Sequence, residues 1–137
     1  MRLTSPRERE KVIAALRRQL AGRPEVLFAY LHGSFLEGGP YRDLDIAVFV
    51  HPQQIEAARW RTYEGDLAVE LQLMLGQPVD VRLLNDAPLA FRYHATGGLP
   101  LVSRDPEARD EFRARTWDMY FDFLPFARRY LREVVGG

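Results

Sequence analysis

The sequence predicts an α/β fold: a small mixed β-sheet with flanking helices, followed by a long C-terminal helix. Three observations predict it. Short apolar runs at 26–31, 44–50 and 79–84 have the length and the branched side chains of strands. Segments with apolar residues at helical spacing lie before, between and after them. Two of the runs begin with or beside carboxylates, Asp43 and Asp45 on one and Asp80 on the other, which is unusual for strands that should be buried.

The chain is long enough for one domain with a real core, and a single domain over residues 1–137 is expected. With 47% apolar and 28% charged residues it belongs with soluble globular proteins and not with disordered ones. Nineteen basic and nineteen acidic residues leave no net charge, so nothing favours stable binding to nucleic acid. The absence of cysteine excludes disulfides and thiolate-bound zinc. The start of the chain has no apolar signal segment, and Val26 to Leu31 is far too short to span a bilayer. A cytoplasmic location is the expectation.

Ser5-Pro6-Arg7-Glu8 reads as a helix start, with Ser5 as cap, Pro6 in the first turn and Glu8 closing a capping box. Val12, Ile13, Leu16 and Leu20 make its apolar stripe, and Gly22 and Pro24 end it. Val26 to Leu31 is apolar on both faces, as an interior strand is. His32-Gly33-Ser34 turns the chain, Phe35 and Leu36 open a short helix, and Gly38, Gly39 and Pro40 break it. Leu44 to Val50 is the next strand. His51-Pro52 is expected to start the second long helix, with Ile55, Trp60, Tyr63, Leu67, Leu71 and Met74 on one face, a kink or break at Gly65, and an end at Gly76 and Pro78. Val79 to Leu84 is the third strand, with Asp80 and Arg82 on the face opposite Val79, Val81 and Leu83. Asn85-Asp86 is expected to cap a short helix across Pro88 to Ala95, ended by Gly97-Gly98. Leu99 to Val102 is a short strand. Asp105-Pro106 caps the last helix, which runs towards Val135 and should kink at Pro125.

The candidate site gathers around Gly33 to Val50. Side chains alternate along a strand, so Asp43 and Asp45 share a face, roughly 6–7 Å apart. If the strand of Asp80 lies beside that of Asp45, at a spacing of about 4.8 Å, the three carboxylates come together. Three such charges repel and raise each other's pKa unless a cation is present, and Mg²⁺ is the hard, oxygen-seeking ion that suits them. Gly33 allows close approach of a phosphate to the backbone, and Ser34 offers a hydroxyl beside backbone N–H donors. Taken singly these features are ordinary: Gly-Ser is usually a turn, and Asp-x-Asp often ends a loop. The conjunction of a buried strand, Gly-Ser, a loop, Asp-x-Asp on a second strand and a carboxylate on a third is what points to phosphoryl chemistry. Arg42 and Arg82 are candidate phosphate-neutralising cations, against the commoner reading of solvated or ion-paired arginines. His32, His51 and His94 have no ligand spacing and read as structural.

This order of Gly33, Ser34, Asp43, Asp45 and Asp80 resembles the minimal nucleotidyltransferases of the polymerase-β-like superfamily. Leu99-Pro100-Leu101-Val102-Ser103-Arg104-Asp105 followed by a tyrosine-containing helix extends the likeness to MntA-type antitoxins, adenylyltransferases paired with HEPN-domain ribonuclease toxins. One departure is the loop: eight residues separate Ser34 from Asp43, fewer than the family commonly has. The resemblance implies the polymerase-β-like fold. It also implies two Mg²⁺ ions on Asp43, Asp45 and Asp80, with Gly33, Ser34, Asp43 and Asp45 as the nucleotide site. The reaction it implies is transfer of AMP from ATP to a toxin tyrosine, with Asp80 as general base. Two alternatives stay open on sequence: a non-catalytic module that neutralises a toxin by binding it, and a nucleotidyltransferase acting on a small molecule.

The last helix carries two apolar stripes. Ala108, Phe112, Thr116, Met119, Phe123, Ala127 and Tyr130 form one, and Trp117, Phe121, Leu124, Leu131 and Val135 the other. A helix on one side of a sheet needs only one such stripe. Part of the second is therefore expected to meet another polypeptide, either a toxin or a second copy of the chain, the alternative being a helix that packs centrally with both stripes as core.

Overall fold

Local chemistry sets the first helix, α1 (Pro6–Ala21), as its sequence predicts. The Glu8 backbone N–H donates to Ser5 Oγ at 3.2 Å, Pro6 occupies the first turn and Gly22 closes the end. The chain then runs through β1 (Val26–His32), the single-turn α2 (Ser34–Glu37), β2 (Leu44–Val50), a 3₁₀ turn (Ala57–Arg59) and α3 (Trp60–Leu75). It continues as β3 (Val79–Leu83), α4 (Leu89–Thr96), β4 (Leu99–Ser103) and α5 (Pro106–Val135). This computed structural model describes residues 1–135.

One four-stranded sheet has the order β3-β2-β1-β4. β1 pairs antiparallel with both β2 and β4, while β2 and β3 are parallel and joined by the α3 crossover. The sheet is therefore mixed, as expected. Its two faces carry different layers. Leu16 and Leu20 of α1 and Leu67 and Leu71 of α3 pack on Leu31, Ile46, Val48 and Val81. On the opposite face α4 and α5 cover Phe28, Tyr30 and Ala47 with Phe91, Ala95 and Phe112. That second layer covers the β1 side and leaves the face of β3 open, where Asp80 and Arg82 are exposed between buried neighbours.

Several details differ from the sequence expectation. The second long helix does not start at His51-Pro52. Residues 51–55 form turns in which the Gln54 and Ile55 N–H groups donate to the His51 carbonyl, and Glu56 is extended, which keeps the 3₁₀ turn and α3 apart from them. The Trp60 indole then ties Ile55 to the start of α3 at 3.1 Å. Gly65 neither breaks nor ends α3, and Met74 faces solvent while Leu75 packs inward. Asn85 does not cap α4. Its side chain brackets Val50, accepting from the Val50 N–H at 3.0 Å and donating to the Val50 carbonyl at 2.9 Å. Asp86 pairs with Arg61 instead. α5 continues through Pro125 to Val135.

The C-terminal helix leaves the body part-way along. Phe112 and Thr116 pack inward, and the Trp117 indole donates to Thr96 Oγ1 at 3.1 Å. Trp117 is thus half-buried and joins α5 to α4, which removes it from the set of outward residues. Beyond it Phe121, Phe123, Phe126, Tyr130, Leu131, Val134 and Val135 are all exposed.

Among the described residues Asn85 makes the only side-chain hydrogen bonds to the Val50 backbone, and losing both weakens the closure of the β2 end at a buried residue. Asn85→Ala should cost about 1–3 kcal/mol in urea unfolding, with the midpoint falling and the slope unchanged.

Candidate active site

The sheet register brings the carboxylates into line. His32 stands opposite Asp45 in the β1/β2 pair, and Asp45 stands opposite Asp80 in the β2/β3 pair. These residues form one row across the sheet end, and Tyr30, Ala47 and Arg82 form the row behind it. Asp43 precedes β2 on the same side, half-buried like Asp45, while Asp80 is exposed. The Leu44 N–H donates to the Pro78 carbonyl at 3.0 Å and fixes the starts of β2 and β3 together. Asp45 and Asp80 are therefore neighbours, as the site requires. Among the described residues no three carboxylate or imidazole groups close into a tight cluster.

Gly33 is held by geometry. Its φ of 84° belongs to the region that favours glycine, and a Cβ there would overlap Asp45 Oδ2. The Asp45 carboxylate thus lies against the backbone of the turn. Ser34 opens α2, and its hydroxyl makes no hydrogen bond among the described residues. α2 is buttressed from behind. Arg9 of α1 donates to the Phe35 carbonyl at 2.7 Å and lies over the Phe35 ring.

The short loop between Ser34 and Asp43 is anchored rather than free. Gly38 turns it with φ 90°, and Tyr41 is buried edge-on to Phe35. Tyr41 also pairs with Arg2 through the backbone and donates its hydroxyl to Gln77 at 2.7 Å. Sequence reasoning missed Tyr41; an aromatic residue just after Gly-Gly-Pro is a signal that such a loop is pinned.

Burial is the main cause that pushes the Asp45 carboxyl up to about 6, followed by the charges of Asp43 and then Asp80. The donor set is all carboxylate oxygen and carries a surplus of negative charge, which fits a divalent hard cation such as Mg²⁺. Burial lowers the His32 imidazole to about 4, with His94 adding to the effect, so His32 is neutral at pH 7. Phe91 of α4 meets the His32 ring edge-on at 5.2 Å and lies under the Arg82 guanidinium at 4.6 Å. A cleft of about 320 Å³ opens beside Gly33, walled by His32, Glu37, Tyr93, His94 and Trp117. Phe91, Tyr93 and Trp117 were not read from sequence as part of a site, because their helices look like ordinary core helices.

The profile of the polymerase β nucleotidyltransferase family matches residues 10–107, more than half of the chain. The chain belongs to that family. No curated protein sequence matches this nucleotidyltransferase significantly. Solved structures do. One is a toxin–antitoxin complex with AMP-PNP, at 26% identity and a TM-score of 0.67 over 91% of this chain and 97% of that one. Another is an MntA toxin–antitoxin complex carrying a tyrosine-to-alanine substitution, at 26% identity and a TM-score of 0.68 over 91% and 96%. A third is a tri-AMPylated Shewanella oneidensis HEPN toxin in complex with its MNT antitoxin, at 25% identity and a TM-score of 0.63 over 93% and 97%. The match to the nucleotidyltransferase therefore runs through the sheet and into the C-terminal helix.

At the site, Asp45 and His32 act on stability in opposite directions. Asp45 is raised from 3.8, so the fold holds its proton more tightly than the unfolded chain does. Its contribution is complete below its unfolded value and is lost as pH rises through about 6. His32 is lowered from 6.5, so its contribution is lost as pH falls from there towards about 4. In chelator, Asp45→Asn should stabilise the nucleotidyltransferase at pH 7 by about 1 kcal/mol, less than the full shift implies because solvent screens a half-exposed group. Its melting temperature should then fall more steeply than that of the parent between pH 6 and 4, where only His32 still acts.

Proposed function

We propose that this chain is a Mg²⁺-dependent protein adenylyltransferase, moving AMP from ATP to a hydroxyl of a HEPN-type toxin and so serving as its antitoxin. The observation that carries this reading is the placing of Asp45 beside Asp80 with Gly33 packed against Asp45. It is supported by likeness, over nearly the whole chain, to an antitoxin bound to a tri-AMPylated toxin and to a complex with an ATP analogue. A single domain over residues 1–137 and a cytoplasmic location go with the proposal; no helix among the described residues is long and apolar enough to cross a membrane.

Asp43, Asp45 and Asp80 would hold the metal, two ions being the expectation. Bound Mg²⁺ offsets the charge of carboxylates and triphosphate and makes the acceptor hydroxyl easier to ionise. Gly33 gives the terminal phosphates room against the backbone, and the unengaged Ser34 hydroxyl donates to them. Asp80, exposed on the edge strand, takes the proton of the attacking hydroxyl. Displacement at phosphorus needs attacking and leaving oxygens in line. The proposed path follows the strand order β1-β2-β3: pyrophosphate would leave over the Gly33 turn, the α-phosphorus would sit over Asp45 and the acceptor would enter over Asp80.

The exposed far half of α5 is the proposed toxin contact, with Phe126 and Leu131 exposed by 71% and 58%. Sizing with light scattering tests it. Phe126→Glu with Leu131→Glu should leave the melting temperature unchanged and abolish complex formation with a HEPN-type toxin. A complex that persists rejects the contact. An isolated chain that is dimeric and turns monomeric in the variant assigns the face to a second copy.

The reaction itself is tested with α-labelled ATP, Mg²⁺ and the HEPN protein. Asp43→Asn with Asp45→Asn should lower label transfer by at least about a hundredfold, the scale of several kcal/mol lost with a metal site. Undiminished transfer would reject the assignment. Protection of cells by the inactive variant would favour neutralisation by binding alone, and label on a small molecule instead of the protein would favour the small-molecule reading.

A further inference from the structure

Asp43 is the one carboxylate of the site that the sheet does not aim. Asp45 stands in the ladders of β2 with its carboxylate against Gly33, and Asp80 is paired with it from within β3. Asp43 lies just before β2, and its side chain makes no hydrogen bond or ion pair among the described residues. Its charge nevertheless acts on Asp45, so it is held close. Repulsion among the three carboxylates drives it away. Its place therefore rests on the backbone that carries it.

That backbone is clamped on both sides to one short segment. After Asp43, the Leu44 N–H donates to the Pro78 carbonyl at 3.0 Å. Before it, the Tyr41 hydroxyl donates to Gln77 Oε1 at 2.7 Å. Gln77 and Pro78 lead directly into β3 and Asp80. The segment is itself fixed, because the Val79 N–H donates to Gln72 Oε1 of α3 at 3.2 Å. On the far side of Tyr41 the loop is open, since a Cβ on Gly38 or Gly39 would touch nothing. The rung at Leu44 joins backbone to backbone and asks nothing of the side chains. The rung at Tyr41 needs a phenol on one strand entry and an amide on the other. Its donor has a firm base: the Tyr41 ring is buried edge-on to Phe35, and both its backbone groups pair with Arg2.

The structure assigns Tyr41 and Gln77 as positioning residues for the metal, their hydrogen bond holding Asp43 at a set distance from Asp80 before any cation arrives. The assignment rests on the reading of Asp43, Asp45 and Asp80 as metal ligands. A ligand already in place loses little freedom on binding, and the groups behind metal ligands tune affinity in this way. Tyr41 touches neither metal nor substrate and acts only through the chain that joins it to Asp43.

Titration of the whole chain with Mn²⁺, without nucleotide or partner, tests this through the electron paramagnetic resonance signal of the free ion. Tyr41→Phe keeps the ring and the Arg2 pairing and removes only the hydroxyl. It should bind Mn²⁺ about three- to tenfold more weakly, the scale of one neutral hydrogen bond. Gln77→Leu should do the same, and the double variant should lose no more than either alone, because the two residues share one bond. Asn85→Ala is the control. It loosens the opposite end of β2, so it should lower the melting temperature and leave Mn²⁺ affinity unchanged. In turnover, the Mg²⁺ concentration giving half the maximal rate should rise in Tyr41→Phe by the same factor, while the rate at saturating Mg²⁺ stays within about twofold of the parent. Unchanged Mn²⁺ affinity in Tyr41→Phe, an equal loss in Asn85→Ala, or additive losses in the double variant would overturn the assignment and leave the bond a purely structural one. A parent chain that binds no Mn²⁺ removes the metal site itself and the reading beneath the assignment.

Discussion

A carboxylate packed against a bare Cα is the contact on which the rest of the site depends. Asp45 needs the space that Gly33 leaves, and Gly33 needs a backbone angle that other residues avoid. Together they place the end of β1 against the centre of β2, and the parallel pairing of β2 with β3 extends the same level to Asp80. The surrounding structure serves to hold that level. Arg9 supports the turn from behind, Tyr41 pins the loop that returns to β2, and the Leu44–Pro78 hydrogen bond keeps β2 and β3 in register. The energetic consequence is a carboxyl group that resists ionisation, because burial and two neighbouring charges all oppose it. A site of this kind is poorly balanced as a protein interior and well suited to a cation.

Much of this was legible in the chain, and the reasons are physical. Strands with carboxylates at one end stand out because burial makes them improbable, so the alternation of Asp80 and Arg82 against Val79, Val81 and Leu83 could be read directly. The cap at Ser5 and the stop at Gly76 follow from local chemistry and are found where they were expected. What failed was local chemistry with a stronger distant competitor. Asn85 looks like a helix cap, but two free backbone groups at Val50 claim its side chain. His51-Pro52 looks like a helix start, but the turns around the His51 carbonyl are used to bring Trp60 to Ile55. Trp117 looked like a member of an outward stripe because periodicity cannot see that Thr96 offers its indole a partner. The position of Arg82 over Phe91 was beyond reach for the same reason, since it needs the packing of α4 on the sheet.

The division of the sheet faces explains why the site is open on one side. α4 and α5 cover the face behind β1 and leave β3 bare. A domain that enclosed its own acceptor would need a further layer there, and this chain spends its last element elsewhere. That element, α5, has thirty residues and would extend about 45 Å at 1.5 Å per residue, well past the body it starts on.

Pro125 gives that projecting helix a particular mechanical character. Proline has no N–H, so the carbonyl one turn back at Phe121 lacks its helical donor, just beyond the last residues that pack on the body. The helix is therefore most compliant where it parts from the sheet, like a boom with its joint at the mast. If the far end grips a partner, the catalytic body can swing while the grip is kept.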